Sequence, residues 1–181
     1  MGLLIAATIR PRESAGQSTV SREYTIKAAY LYNFGRYARW PEGTFCNQRD
    51  PFVIGILGTD PFGDALPSMA AAKKVDGRTL VIRRFDSLEE YTPCHILFVT
   101  RLTDPGTQRA AVERFAGAQV LLVGEAPGFV RQGGIVEFYT RHNKIRFRID
   151  REAARRAGLK INSKLLDLEK RWEESQEAPS P

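Results

Sequence analysis

Three features of the 181-residue chain predict an α/β fold. Four short runs, residues 52–57, 79–85, 94–100 and 120–123, alternate with segments of helical period. Most of these runs are apolar throughout, the pattern of strands covered on both sides rather than half exposed. A later pair of alternating stretches, residues 135–139 and 144–149, flanks Arg141-His142-Asn143 and reads as a hairpin in which Phe138 and Phe147 face each other. The expected architecture is a mostly parallel sheet flanked by helices on both faces, with an antiparallel hairpin at one edge.

Each element has its own justification. Over residues 22–39, Tyr24, Ala28, Leu31, Gly35 and Ala38 recur at steps of three or four with Phe34 beside them, and Arg36 falls on the other side. Trp40-Pro41 stops this helix, because proline cannot continue it and pushes the preceding residue out of the helical region. Trp40 is expected to pack against the core. Gly43, Asn47, Asp50 and Pro51 mark a loop. The turn Gly58-Thr59-Asp60-Pro61-Phe62-Gly63 follows the first strand, and Asp60-Pro61 opens a helix that Pro67 shortens or kinks. Asp76-Gly77 is a turn signal, and Ser87 is expected to cap a short helix over residues 88–91.

Farther along, residues 104–116 form a helix with Ala111, Val112 and Phe115 facing inward. Asp150 and Gly158 bracket another helix as N-cap and C-cap. Residues 159–162 are extended, which turns Lys160 and Asn162 away from the face of Leu159 and Ile161. The last helix, residues 163–172, carries Leu165, Leu166, Leu168 and Trp172. The expected organisation is a leader or signal remnant over residues 1–21, one domain over residues 22–172, and a frayed polar tail over residues 173–181.

Composition narrows the function. The chain is 43% hydrophobic and 27% charged, ordinary for a soluble globular domain. A formal charge of +6 is spread among acidic residues without a run of Lys and Arg interleaved with aromatics, so no nucleic-acid partner is expected. Residues 2–9 form an apolar run too short to span a bilayer, compatible with the remnant of a secretory signal or an unstructured leader.

The motifs argue against catalysis. The turn at Gly58 sits where doubly wound folds bind phosphate, but it is neither GxGxxG nor a P-loop and reads as a structural turn. His95 and His142 stand alone, and no metal or cofactor site is expected. Cys94 and His95 are neighbours on a strand and point to opposite faces, so they do not form a thiolate–imidazolium pair. Cys46 and Cys94 are compatible with one disulfide or with two free thiols. Lys160 and Asn162 form either a solvated sheet edge or a small polar contact patch. Arg36 and Arg39 are candidate contact residues as well.

In order along the chain, Phe34-Gly35-Arg36-Tyr37-Ala38-Arg39-Trp40-Pro41, the Gly58 to Gly63 turn, Cys94-His95-Ile96-Leu97-Phe98-Val99, Gly124-Glu125-Ala126-Pro127-Gly128-Phe129 and Gly158-Leu159-Lys160-Ile161-Asn162-Ser163-Lys164-Leu165-Leu166 resemble the YfiR family of small exported bacterial proteins. The resemblance implies a non-catalytic periplasmic regulator. It would bind the extracytoplasmic domain of a membrane-bound diguanylate cyclase or sensor kinase and restrain cyclic di-GMP output. It also implies a homodimer and a disulfide that supports the fold. Members often carry a cysteine on the first strand, where this chain has Gly55. Two free thiols are therefore expected, Cys94 buried and Cys46 accessible. The alternative is a small-ligand sensor with a pocket at the carboxyl ends of the strands, near residues 58–62, Thr100 and Gly124.

Overall fold

The computed structural model describes residues 15–174, with side chains over residues 22–169. The apolar run over residues 2–9, the remainder of the expected leader and the end of the tail lie outside the described residues. The first helix, α1 (Ala15–Tyr37), begins seven residues before the expected start and ends three before Trp40. Its chain then extends as β1 (Ala38–Arg39), so Trp40-Pro41 follows a strand rather than the helix end itself.

The main sheet comprises β2 (Phe52–Leu57), β3 (Lys74–Val75), β4 (Arg78–Phe85), β5 (Ile96–Val99), β6 (Leu121–Gly124), β7 (Val136–Arg141) and β8 (Lys144–Ile149), in the order β3-β4-β2-β5-β6-β7-β8. The sheet is mixed. Strands β4, β2, β5, β6 and β7 pair in parallel, and β8 returns antiparallel with Phe138 opposite Phe147 as expected. The expected antiparallel hairpin stands at one edge as β7–β8, and β3 adds a second antiparallel pairing, with β4, at the other. Asp76 and Gly77 both take positive φ, 47° and 80°, the backbone of a tight two-residue hairpin turn. A second, two-stranded sheet joins β1 antiparallel to β9 (Lys160–Ile161).

The connecting helices are α2 (Ala65–Ala72), α3 (Pro105–Phe115), α4 (Arg151–Arg156) and α5 (Ser163–Glu174). Helix α2 starts later than Asp60-Pro61 because Asp60 Oδ1 accepts the Phe62 amide at 2.8 Å and holds a turn there. Pro67 sits in the first turn of α2, where its missing N–H costs no helical bond. The expected helix over residues 88–91 is a single turn closed by Tyr91 N–H to the Leu88 carbonyl, too short to propagate before Pro93. Asp104 caps α3, and Asp150 caps α4 by accepting the Ala153 amide at 2.9 Å.

Helix α1 crosses the sheet from the carboxyl ends of the parallel strands to their amino ends. Tyr24 lies beside Phe62 and Glu125, which follow β2 and β6. Phe34 packs on Phe138 and Phe147 in the middle. Gly35 lets the helix approach closely, since a Cβ there would stand 3.1 Å from the Phe52 ring. Tyr24, Ala28, Leu31, Phe34 and Ala38 are all buried, as the periodicity required.

Candidate functional site

The strand order reverses direction between β2 and β5, the position where open α/β sheets leave a crevice for ligands. Here that crevice is filled. Gly58, at φ 90°, follows β2 and donates its amide to the Phe85 carbonyl at 2.9 Å, while Thr103 Oγ1 donates to the Leu57 carbonyl at 3.1 Å. Phe62 folds over the opening between Tyr24 and Phe98, with ring centroids 5.3 and 5.0 Å away. Asp60 Oδ2 pairs with Arg84 Nε at 2.7 Å. Gly58, Asp60 and Pro61 therefore build a turn.

Open space lies farther along the carboxyl ends, as a cleft of about 400 Å³ lined by Glu23, Lys27, Arg101, Glu125, Arg131 and Arg148 among others. Lys27 is 3% exposed and Glu125 8%. Lys27 Nζ pairs with Glu125 and with Glu23, Tyr24 Oη donates to Glu125 at 3.1 Å, and the Arg101 amide donates to Glu125 at 2.9 Å. Burial is the largest cause that pushes the Tyr24 hydroxyl above its ordinary range, and the Glu125 charge adds to it.

The cleft's second buried carboxylate, Glu137, accepts the Gly128 and Val130 amides at 3.2 Å and so fixes the loop after β6. That loop is seated by Phe129, whose ring lies over two glycines. A Cβ on Gly124 would come within 2.5 Å of it, and one on Gly134 closer still. The carboxylates thus hold donors of the fold, and the exposed guanidinium groups of Arg101, Arg131 and Arg148 form the rim. Two of these groups meet the cleft's own carboxylates, Arg101 with Glu23 at 3.5 Å and Arg148 with Glu137 at 4.0 Å.

Lys27 and Glu125 are absent from the sequence-based candidates. Lys27 stands three residues after Tyr24 and four before Leu31, a lysine on the apolar stripe, and that was the available signal. Glu125 lies after a buried strand, inside the Gly124 to Phe129 stretch that carries the family resemblance, but nothing local marked its side chain.

At the amino ends the sequence candidates come together. Register sets Arg39 opposite Lys160 and Ala38 opposite Ile161. Arg36 lies just before, its carbonyl receiving Arg39 Nη1 at 2.8 Å. Asn162 is on the same segment, but its side chain accepts the Lys164 amide at 2.9 Å and caps the start of α5. Trp40 is partly buried, edge-on to Phe52 at 5.0 Å and to His95 at 6.0 Å. Pro41 packs beside Gly158, whose φ of 73° ends α4.

His95 contacts the rings of both Phe45 and Phe52, at 4.5 and 4.8 Å, and its Nδ1 accepts the Val53 amide at 2.9 Å. Burial lowers its pKa to about 4, and the charges of Arg78 and Arg83 act in the same direction. The Cys94 thiol faces Gly55 and Tyr91 instead, and burial raises it to about 12, so it is protonated at neutral pH. Cys46 is exposed, and the two thiols are free. Among the described residues, no group of three or more His, Cys, Asp or Glu is placed to hold a metal, and no helix is long and apolar enough to cross a membrane.

These features define a small α/β domain whose charged side chains gather at the two ends of its parallel strands. Its family is explicit in the sequence: residues 24–169 match the YfiR/HmsC-like family model, and the chain belongs to that family. A search of curated proteins gives no significant match.

Proposed function

We propose that this protein is a periplasmic regulator that acts by contact, binding the extracytoplasmic domain of a membrane signalling protein, a diguanylate cyclase or a sensor kinase, and restraining cyclic di-GMP output. The observation that carries this reading is the family match over residues 24–169, which spans the sheet and all five helices in part or whole. Supporting it, the crevice where an α/β enzyme would bind substrate is occupied by Phe62 and Tyr24. Arg36, Arg39, Lys160 and Asn162 are the contact residues proposed for the partner.

The test is deletion and complementation in the source bacterium. Loss of the gene should raise cellular cyclic di-GMP, and the exported protein should restore it. An unchanged level in the deletion strain refutes the regulatory reading.

The rim of Arg101, Arg131 and Arg148 favours a second reading, a sensor that takes a small anionic ligand in the cleft at the carboxyl ends. Mass spectrometry of the protein purified from periplasm should then reveal a bound small anion. An Arg131→Gln/Arg148→Gln variant that retains the same ligand removes this reading.

A further inference from the structure

Arg39 and Lys160 stand directly opposite each other in the β1–β9 ladder. Ala38 is buried and Ile161 partly so, which turns Arg39 and Lys160 together toward solvent. Opposed residues in an antiparallel pair have Cβ atoms about 5 Å apart, and like charges in that position disfavour the pairing. Arg36 adds a third cation, lying near the rings of Tyr32 and Tyr37 at 5.7 and 5.4 Å. Helix α5 begins at Ser163, so the positive end of its dipole falls beside the same strand. A carboxylate does reach the cluster. Asp76, at the β3–β4 turn, lies 3.4 Å from Arg39 Nη1, with both side chains more than half exposed. The fold gains nothing from opposing two cations on so short a ladder, since a neutral or acidic residue at 160 would pair at least as well.

We propose that this face docks an acidic segment of the partner's extracytoplasmic domain, with Arg39 and Lys160 as its paired cations and Arg36 beside them. The inference rests on the regulatory reading and adds the chemistry of the partner. Asp76 displays the mode of contact, a carboxylate on a turn meeting the Arg39 guanidinium from solvent. A run of partner carboxylates could meet Arg39 and Lys160 from solvent, since both are exposed on the same face of the ladder. A lipid surface attracts cations spread over a plane, whereas these are gathered over a two-residue ladder.

The experiment uses the full chain and hexaglutamate as the probe, followed by backbone amide shifts at low salt. Shifts should concentrate at residues 36–39 and 160–163 and fade as salt is added. Lys160→Glu should weaken the peptide by about tenfold or more, and it should melt at or above the wild-type temperature because it gives Arg39 an internal partner. Shifts confined to Arg101, Arg131 and Arg148 overturn the proposal, as does unchanged peptide binding in Lys160→Glu. So does binding of the same residues to vesicles of phosphatidylethanolamine and phosphatidylglycerol, roughly 3:1, with no response to the peptide. In cells, Lys160→Glu that still restrains cyclic di-GMP sinks the ladder and leaves the regulatory reading intact. A deletion strain with unaltered cyclic di-GMP sinks that reading, while the peptide experiment still judges the ladder.

Discussion

Gly55 and Cys94 offer a direct measurement of how this core is packed. A Cβ on Gly55 would lie 3.0 Å from Cys94 Sγ, and in a disulfide the Cβ of one residue stands about 3.0 Å from the sulfur of the other. Gly55→Cys should therefore oxidise to a bond with Cys94. The closed loop holds about 40 residues, and the chain-entropy model gives about 4 kcal/mol for it. Against that gain, Phe85 Cε2 lies 2.7 Å from the new Cβ and must shift, an overpacking cost of about 1–3 kcal/mol. The net expectation is about 1–3 kcal/mol of added stability when oxidised and a loss of about 1–3 kcal/mol when reduced. Urea unfolding with and without reductant reads both. Thiol counting supplies the control. Wild type should show one reactive thiol when native and two when unfolded, whereas the oxidised variant should show only Cys46 in either state. Three thiols in the unreduced, unfolded variant would refute the placement of Cys94 against β2.

Trp40→Ala should cost about 3 kcal/mol in denaturant unfolding, since the indole is packed on Phe52 and His95; a cost below about 0.5 kcal/mol would contradict that packing. Lys27→Met should cost about 3 kcal/mol or more by leaving Glu125 buried without its cation. A second change, Glu125→Gln, should return part of that loss, and strictly additive costs in the double-mutant cycle would show that the pair is not coupled. His95 is held near pKa 4 when folded, below the ordinary 6.5, so the unfolded chain binds more protons between those values. The stabilisation from neutral His95 is complete above pH 6.5 and is lost as pH falls toward about 4. His95→Phe should flatten that part of the stability–pH curve, and an unaltered slope would assign it to other groups.

The sheet was legible because burial imposes continuous apolar runs: residues 52–57 and 120–123 announce strands through composition alone. Phe138 and Phe147 were legible for a related reason, as alternation about a turn sets register. The β3 edge was not, because two residues carry too little pattern and only Asp76-Gly77 marked the reversal. The β1–β9 ladder escaped as well. Arg36 and Lys160 were marked by their place off the apolar face and Arg39 was a candidate beside them, but no local rule says that residues near 38 and 161 pair. Lys27 escaped because a cation on an apolar stripe is read as an interruption until the carboxylate that satisfies it is known, and Glu125 lies about 100 residues away.

The same ladder joins positions about 120 residues apart, near the two limits of the family match. Loop closure over that span carries a large entropic cost until the sheet between has formed. The pairing of Arg39 with Lys160 therefore needs the chain through β9, and a chain cut short before residue 160 lacks it. On the proposed reading, a partner that needs both cations side by side would distinguish a finished molecule from a fragment, and the surface would be a check on completion as well as a point of contact.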